Sequence, residues 1–428
     1  MNFINFFLII IAVFLGCEKK SQPTQPQDQV ANPNPPTLQA VESLTFPIMT
    51  WFGLPSNYLD LQHFQDMADA GFTINFSHLN AENLNMTALS LGQQAGVKQL
   101  IMDSRIQPDK KVDETALKLV DEVIQRYKSH PAFFGYHVRD EPSTSLFSNL
   151  AAIKNRILSQ DQDHLVYSNL NPDYGSAAGY GASTYQEYVN KFMLAFKPQI
   201  LSYDHYPFTS SGFRQTYYQN LEEIRTAAIA NNVPFWAFTM SCAISPPYPN
   251  PQESWIRLQV FSDLAYGARG IQYFTYGLPH SSQENFTIAI LDDGGNKTYL
   301  YDIAKRVNSE VHALASTLKQ IQSLAVYHST PLPQGTNGLP GDFIVKSTTG
   351  LPLVIGYFKD SQNRIFLFLV NRDYNNRGDA GISVSNDIKG FEEISKKDGS
   401  PQSALTPGNN IITMQFEPGD GRLFRVVK

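Results

Sequence analysis

Cysteine is almost missing from this chain: its 428 residues hold two, Cys17 and Cys242. No paired cysteines, no His-Glu-x-x-His string and no clustering of the nine histidines supplies zinc-ligand spacing, so neither a metal nor another cofactor is expected. A Gly-x-Ser-x-Gly elbow, which would set a nucleophilic serine on a strand-to-helix turn, is absent too. No glycine-rich phosphate loop follows the first strand-like segment, which argues against an open doubly wound nucleotide-binding sheet. Nor is there a Lys/Arg cluster, and the net charge of −6 speaks against a nucleic-acid partner. Aromatic residues, by contrast, are plentiful at 12%, enough for both a core and a cleft in which flat faces stack.

The apolar stretch of residues 2–16 is shorter than a membrane-spanning helix requires and reads as a signal peptide. Leu15-Gly16-Cys17 resembles the lipobox of bacterial lipoproteins, which implies cleavage after residue 16 and lipidation of Cys17. Residues 17–45, rich in Gln, Pro, Asn and Ser, cannot build a core and suit a tether. With Cys17 lipidated, Cys242 has no intramolecular partner and is expected as a packed small residue. The expected location is extracytoplasmic, with the membrane as a partner through the lipid.

From residue 46 onward, strand-like and helix-like patterns alternate eight times. The strand-like segments are 48–53, 73–79, 99–105, 133–139, 165–170, 200–206, 234–240 and 270–276. Amphipathic stretches lie between them, and a long one at 301–324 closes the series. Eight alternations in about 280 residues fit a (β/α)8 TIM barrel. After residue 330 the rhythm changes to short strands parted by turns, as in a small antiparallel β-sandwich. The expected organisation is thus 1–16 signal peptide, 17–45 linker, 46–330 barrel and 331–428 sandwich.

Chemistry in such a barrel sits at the C-terminal ends of the strands. Those ends carry Trp51, His78, Asp103 with Arg105, Asp140 with Glu141, Asn169, Asp204 with Tyr206, and Tyr273 with Tyr276. In the fourth segment simple alternation puts Phe134, Tyr136 and Val138 on one side, and Gly135, His137, Arg139 and Glu141 on the other. In the sixth, Ser202, Asp204 and Tyr206 share a side. Polar and aromatic groups gathered on one rim suit a polar ligand.

Asp140-Glu141-Pro142 closely resembles the Asn-Glu-Pro string that ends the fourth strand in a large clan of (β/α)8 glycoside hydrolases. The segment 258–274 is similar to stretches of β-galactosidase-like members, and the Pro418-Gly419-Asp420-Gly421-Arg422 region to the sandwich that ends many of them. The resemblance implies an enzyme that cleaves O-glycosyl bonds of an oligo- or polysaccharide, with Glu141 as general acid. Asp140 replaces the clan's asparagine and adds a negative charge beside Glu141, which should raise a pKa in the pair. The clan's seventh-strand glutamate has no counterpart, because residues 238–243 contain no carboxylate. Glycoside hydrolysis needs a second carboxyl group. Asp204 is favoured because a strand positions it; Glu253, Asp103, Glu284, Asp292 and Asp293 are the alternatives. Trp51, Tyr206, Tyr273 and Tyr276 are expected to stack on sugars, and His78, Asp103, Arg105 and Asp140 to bind their hydroxyls. Without the seventh-strand glutamate, a non-catalytic carbohydrate-binding lipoprotein is the main alternative, and an interaction module the third.

Overall fold

A computed structural model describes residues 39–107 and 112–428. Cys17 and the expected signal peptide lie outside the described residues, as does most of the linker. Eight parallel strands close into a barrel: β1 Ile48–Trp51, β2 Ile74–Phe76, β3 Lys98–Met102, β4 Phe133–Asp140, β5 Leu165–Leu170, β6 Leu201–Tyr203, β7 Phe235–Met240 and β8 Ile271–Phe274. Each pairs with its neighbours in sequence, and β8 returns to β1. The surrounding helices are α1 Leu61–Asp69, α2 Glu82–Ala95, α3 Glu114–Tyr127, α4 Phe147–Leu158, α5 Tyr185–Ala195, α6 Tyr217–Ala230, α7 Glu253–Tyr266 and α8 Tyr299–Gln320.

Side chains alternate along the strands, so two apolar layers form. Met49, Trp51, Ile74, Phe76, Leu100, Phe134, Tyr167, Trp236 and Phe238 fill the barrel interior. Ile48, Ile101, Tyr136, Val138, Val166, Leu201, Tyr203 and Tyr273 meet the helices. Close strand–helix packing is visible at Gly92, where a Cβ would lie 2.5 Å from the Val97 carbonyl oxygen.

Strand β4 departs from simple alternation. Gln99 pairs with Phe133 and Leu100 with Gly135, leaving Phe134 as an extra residue. On the other edge His137 pairs with Tyr167 and Arg139 with Ser168, leaving Val138 extra. Two bulges in one strand reset its faces twice. Phe134 therefore enters the interior, whereas Tyr136 and Val138 face the helices, and the expectation that all three share a side is corrected.

The C-terminal part is a sandwich. Its five-stranded sheet runs in the order Gln322–His328, Leu353–Lys359, Ile365–Asn371, Gly421–Val427, Gly390–Ile394. The three-stranded sheet runs Val345–Gly350, Gly378–Val384, Ile411–Phe416. The first sandwich strand begins inside the stretch expected to be helical to residue 324, because Gln322–His328 pairs with Leu353–Lys359. Strand Ile365–Asn371 is apolar on both faces: Leu367 and Leu369 fill the sandwich core, while Phe366, Phe368 and Val370 join the barrel's outer layer. Helix α7 is buried nearly all round for the same reason, wedged between barrel and sandwich. Gly356 allows that approach, since a Cβ there would lie 2.3 Å from the Ala265 carbonyl oxygen. Arg257 adds polar ties across the junction, to Glu310 at 2.7 Å and to Asp420 at 2.6 Å.

Candidate active site

At the C-terminal end of the barrel a cleft of about 340 Å³ is lined by Trp51, Phe52, Asp140, Glu141, Asn169, Tyr174, Asp204, Tyr206, Phe274 and Glu284, among others. Asp140 ends β4 and Glu141 follows it; both line the cleft, open to solvent at its mouth but walled by protein on the other sides. Asp204, one residue beyond β6, forms the floor and is 5% exposed. Glu141 has φ +44° and Phe52, just past β1, has φ +45°. The left-handed region costs a non-glycine residue on the order of 1–3 kcal/mol, and such strain gathers at functional sites. At Glu141 it turns the chain after the second β4 bulge, while its backbone N–H still donates to Asn169 O at 2.9 Å. Bulge and turn together let both Asp140 and Glu141 face the cleft.

Glu141 and Asp204 face each other across the cleft closely enough that each carboxyl group shifts the other's pKa. Burial raises the pKa of Asp204 well above the usual carboxylate range, and the charges of Glu141 and Asp140 add to it. Glu141 is also raised, by burial and by the charge of Glu284, against an opposing effect of Asp204. Asp140 is pushed up by burial and by Glu141. Three carboxyl groups thus crowd a site that cannot hold three full charges.

A chain of side chains below holds Asp204. Tyr167 donates to Gln272 Oε1, and Gln272 Nε2 donates to Ser202 Oγ at 2.9 Å. Ser202 donates to Asn169 Oδ1 at 2.8 Å, so the Asn169 amide must turn its Nδ2 to Asp204, 2.8 Å away. Asp140 lies 3.4 Å from the same nitrogen. Tyr167 and Asn169 come from inward positions on β5, Ser202 from β6 and Gln272 from β8.

The walls are aromatic. Tyr206 stacks on Phe274 with ring centres 5.1 Å apart, and Tyr248 stands across it. Arg214 lies over Tyr174 at 3.9 Å, donating to Tyr206 O and to the Tyr248 hydroxyl from behind the wall. Trp51 meets Phe76, Phe238 and His137 edge-on at the base.

Of the residues expected at the site, Trp51, Asp140, Glu141, Asp204 and Tyr206 converge here. His78 lies in an adjoining hollow, stacked on Phe52. Tyr273 and Tyr276 are corrected: both are fully buried against Phe72 in the outer layer, and inward-pointing Phe274 takes the cleft position. Asp103 and Arg105 are corrected as well. They pair with each other at 2.8 Å, Asp103 accepts from Tyr127 of α3, and Arg105 reaches Glu82 of α2. Burial works against the Asp103 charge, but Arg105 holds its carboxyl below the usual range, as befits a structural ion pair. Glu253 sits in the first turn of α7, bonded to Arg306 at 2.6 Å. Asp293 pairs with His280, and Asp292 accepts from Asn296. Of Glu284, Asp292 and Asp293, Glu284 reaches the cleft. Tyr174 and Tyr248 were not anticipated; they come from loops, where no periodicity marks a facing direction. Among the described residues no cluster of His, Cys, Asp or Glu could hold a metal ion.

Fold and site together define a (β/α)8 barrel with a carboxyl cluster at its catalytic face, followed by a β-sandwich. Residues 180–319, about a third of the chain, match a glycoside hydrolase 42 family described as beta-galactosidase. No curated protein sequence matches. Among solved structures, a β-galactosidase from Bacillus circulans sp. alkalophilus is similar at 8% identity, TM-score 0.58, over 90% of this chain and 100% of that one. A family 5 glycoside hydrolase from Bacteroides vulgatus is similar at 12% identity, TM-score 0.57, over 90% and 89%. A β-galactosidase from the psychrophilic Marinomonas ef1 is 11% identical, TM-score 0.49, over 64% of this chain; the chain spans 60% of that protein's length. At these identities the likeness is one of fold.

Proposed function

We propose that the protein is a retaining glycoside hydrolase, with Glu141 as acid/base and Asp204 as nucleophile. The Glu141–Asp204 carboxyl pair, set at the barrel's C-terminal mouth between aromatic walls, carries the reading. Retaining enzymes hold their two carboxyl groups roughly 5–5.5 Å apart and inverting ones roughly 6.5–9.5 Å apart, to admit a water. The mutual pKa effects of Glu141 and Asp204 are those of carboxyl groups set close together, which favours the shorter spacing.

In the first step the proton held by Asp204 in the resting site moves to Glu141, and Glu141 passes it to the glycosidic oxygen as the C–O bond breaks. Asp204, freed of the proton and steadied by Asn169 Nδ2, bonds to the anomeric carbon. The leaving alcohol departs with the proton. Glu141, now a carboxylate, takes a proton from water as the water oxygen attacks the same carbon, and the ester to Asp204 breaks. Tyr206, Phe274 and Trp51 supply faces on which sugar rings stack. The test is a panel of neutral polysaccharides and oligosaccharides given to the wild-type protein, with the product's anomer followed by NMR. Release of sugar with its configuration kept is expected; binding without release would leave a carbohydrate-binding protein instead, and inverted product would remove Asp204 as nucleophile.

We further propose lipid anchoring through Cys17, on the lipobox-like Leu15-Gly16-Cys17 and the tether-like residues behind it. Cys17→Ser is expected to move the protein from the membrane to the soluble fraction of the producing bacterium, with unchanged unfolding behaviour. A wild-type protein already found in the soluble fraction would end the idea.

A further inference from the structure

A second hollow adjoins the cleft, and at about 590 Å³ it is the larger of the two. The loops after β1, β2 and β8 enclose it, and Phe52 and Glu284 belong to both hollows. A catalytic site for one terminal sugar has no need of it.

Its lining has a definite chemistry. Phe52, held by its left-handed backbone, offers a ring at the boundary, stacked on His78 with centres 4.1 Å apart. His78 forms part of the wall, and its Nδ1 finds no hydrogen-bond partner among the protein groups. Burial lowers the pKa of His78 to about 3, so its imidazole is neutral at physiological pH. A neutral imidazole both donates and accepts, as a sugar hydroxyl does, and attracts no anion. Ser56, Ser281 and Gln283 add small polar groups. Among the described residues neither hollow is lined by a lysine or an arginine, and His280 of the second hollow is paired with Asp293, while Asp140, Glu141, Asp204 and Glu284 supply carboxyl groups. Carboxylate or sulfate groups on a substrate would meet this acidic cluster with no described ammonium or guanidinium group in the lining to pair them.

We propose that the second hollow holds further sugar units of the same substrate, continuous with the unit at Glu141–Asp204, and that the substrate is an uncharged oligo- or polysaccharide chain. This rests on the glycoside hydrolase reading but goes beyond it: it assigns recognition of a chain segment rather than of a single terminal sugar, and it excludes uronic-acid and sulfated glycans.

The experiment measures affinity calorimetrically, using the full chain carrying Glu141→Gln so that binding is read without turnover. Two ladders of two to six sugars serve as probes. One is neutral, cut from the polysaccharide that the wild type degrades best; the other is oligogalacturonate. Affinity for the neutral ladder is expected to rise about tenfold or more between two sugars and the longer members, with the anionic ladder at least about tenfold weaker at each length. His78→Ala, and separately Leu79→Trp, which fills the hollow, are expected to abolish most of the rise; thermal unfolding of each variant checks that it folds. A flat neutral ladder, equal binding of the anionic ladder, or a rise untouched in both variants when folded would overturn the proposal. Cleavage of a simple aryl glycoside alongside a flat ladder would sink this inference and leave the catalytic reading standing. No binding of either ladder, together with no cleavage of any glycoside, would overturn both.

Discussion

Asp204→Asn is expected to abolish turnover while making the protein more stable. The substitution keeps the shape, and the amide oxygen still accepts from Asn169 Nδ2, but the nucleophile is gone. Loss of an enzyme's nucleophile costs on the order of 10⁴–10⁶-fold in rate, and substrates with good leaving groups should suffer as much as poor ones. Stability should move the other way. The pKa of Asp204 in the folded state is raised by burial and by the neighbouring carboxylates. Below its unfolded value, near 3.8, both states hold the proton and the residue exerts no pH-dependent effect. As pH climbs above that value the unfolded chain ionises freely while the folded site resists, so stability falls toward the raised folded pKa. The amide carries no such penalty. The variant's melting temperature should match the wild type near pH 3 and exceed it increasingly from pH 5 to 8. A variant less stable across that range would mean that Asp204 holds the fold together rather than waiting for substrate. Rescue of Asp204→Ala by azide, giving a glycosyl azide of inverted configuration, would identify the nucleophile directly.

For Glu141→Gln the loss should depend on the leaving group. General acid catalysis contributes on the order of 10²–10⁴-fold, so hydrolysis of natural glycosides should fall by about that factor. Aryl glycosides that leave as stable phenolates need little protonation, and their first step should be nearly spared. The glycosyl-enzyme ester would then persist, because Glu141 also activates the water that clears it; a burst of phenol followed by slow turnover is the expected trace. The pH profile supplies a separate reading. Glu141 has a raised pKa, so wild-type activity should hold through mildly acidic pH and decline as pH rises through that value and the proton is lost. In the glutamine variant this alkaline decline should vanish. An equal loss on both substrate types, with the decline intact, would assign the acid to another group, of which Asp140 and Glu284 are nearest the cleft.

The chain's local pattern was enough to establish the architecture. Eight alternations of period-two and helical patterning make a closed barrel because each strand is too short and too apolar to stand without covering helices, and short connections leave parallel neighbours. The same pattern marked Asp204 and Tyr206 as inward, since β6 runs without a bulge, and Asp140-Glu141 as a strand end, since Pro142 follows. Tertiary structure decided what lay beyond local reach. The two bulges of β4 depend on how β3 and β5 align beside it, and they moved Phe134 inward. Tyr273 and Tyr276 lost their places in the cleft to Phe274, because inward residues of β8 follow Gln272 by two. Asp103 and Arg105 turned out toward α2 and α3, where Glu82 and Tyr127 satisfy them. Glu284, Tyr174 and Tyr248 reach the cleft from loops, whose course is set by packing over the barrel mouth rather than by any repeat in their own residues.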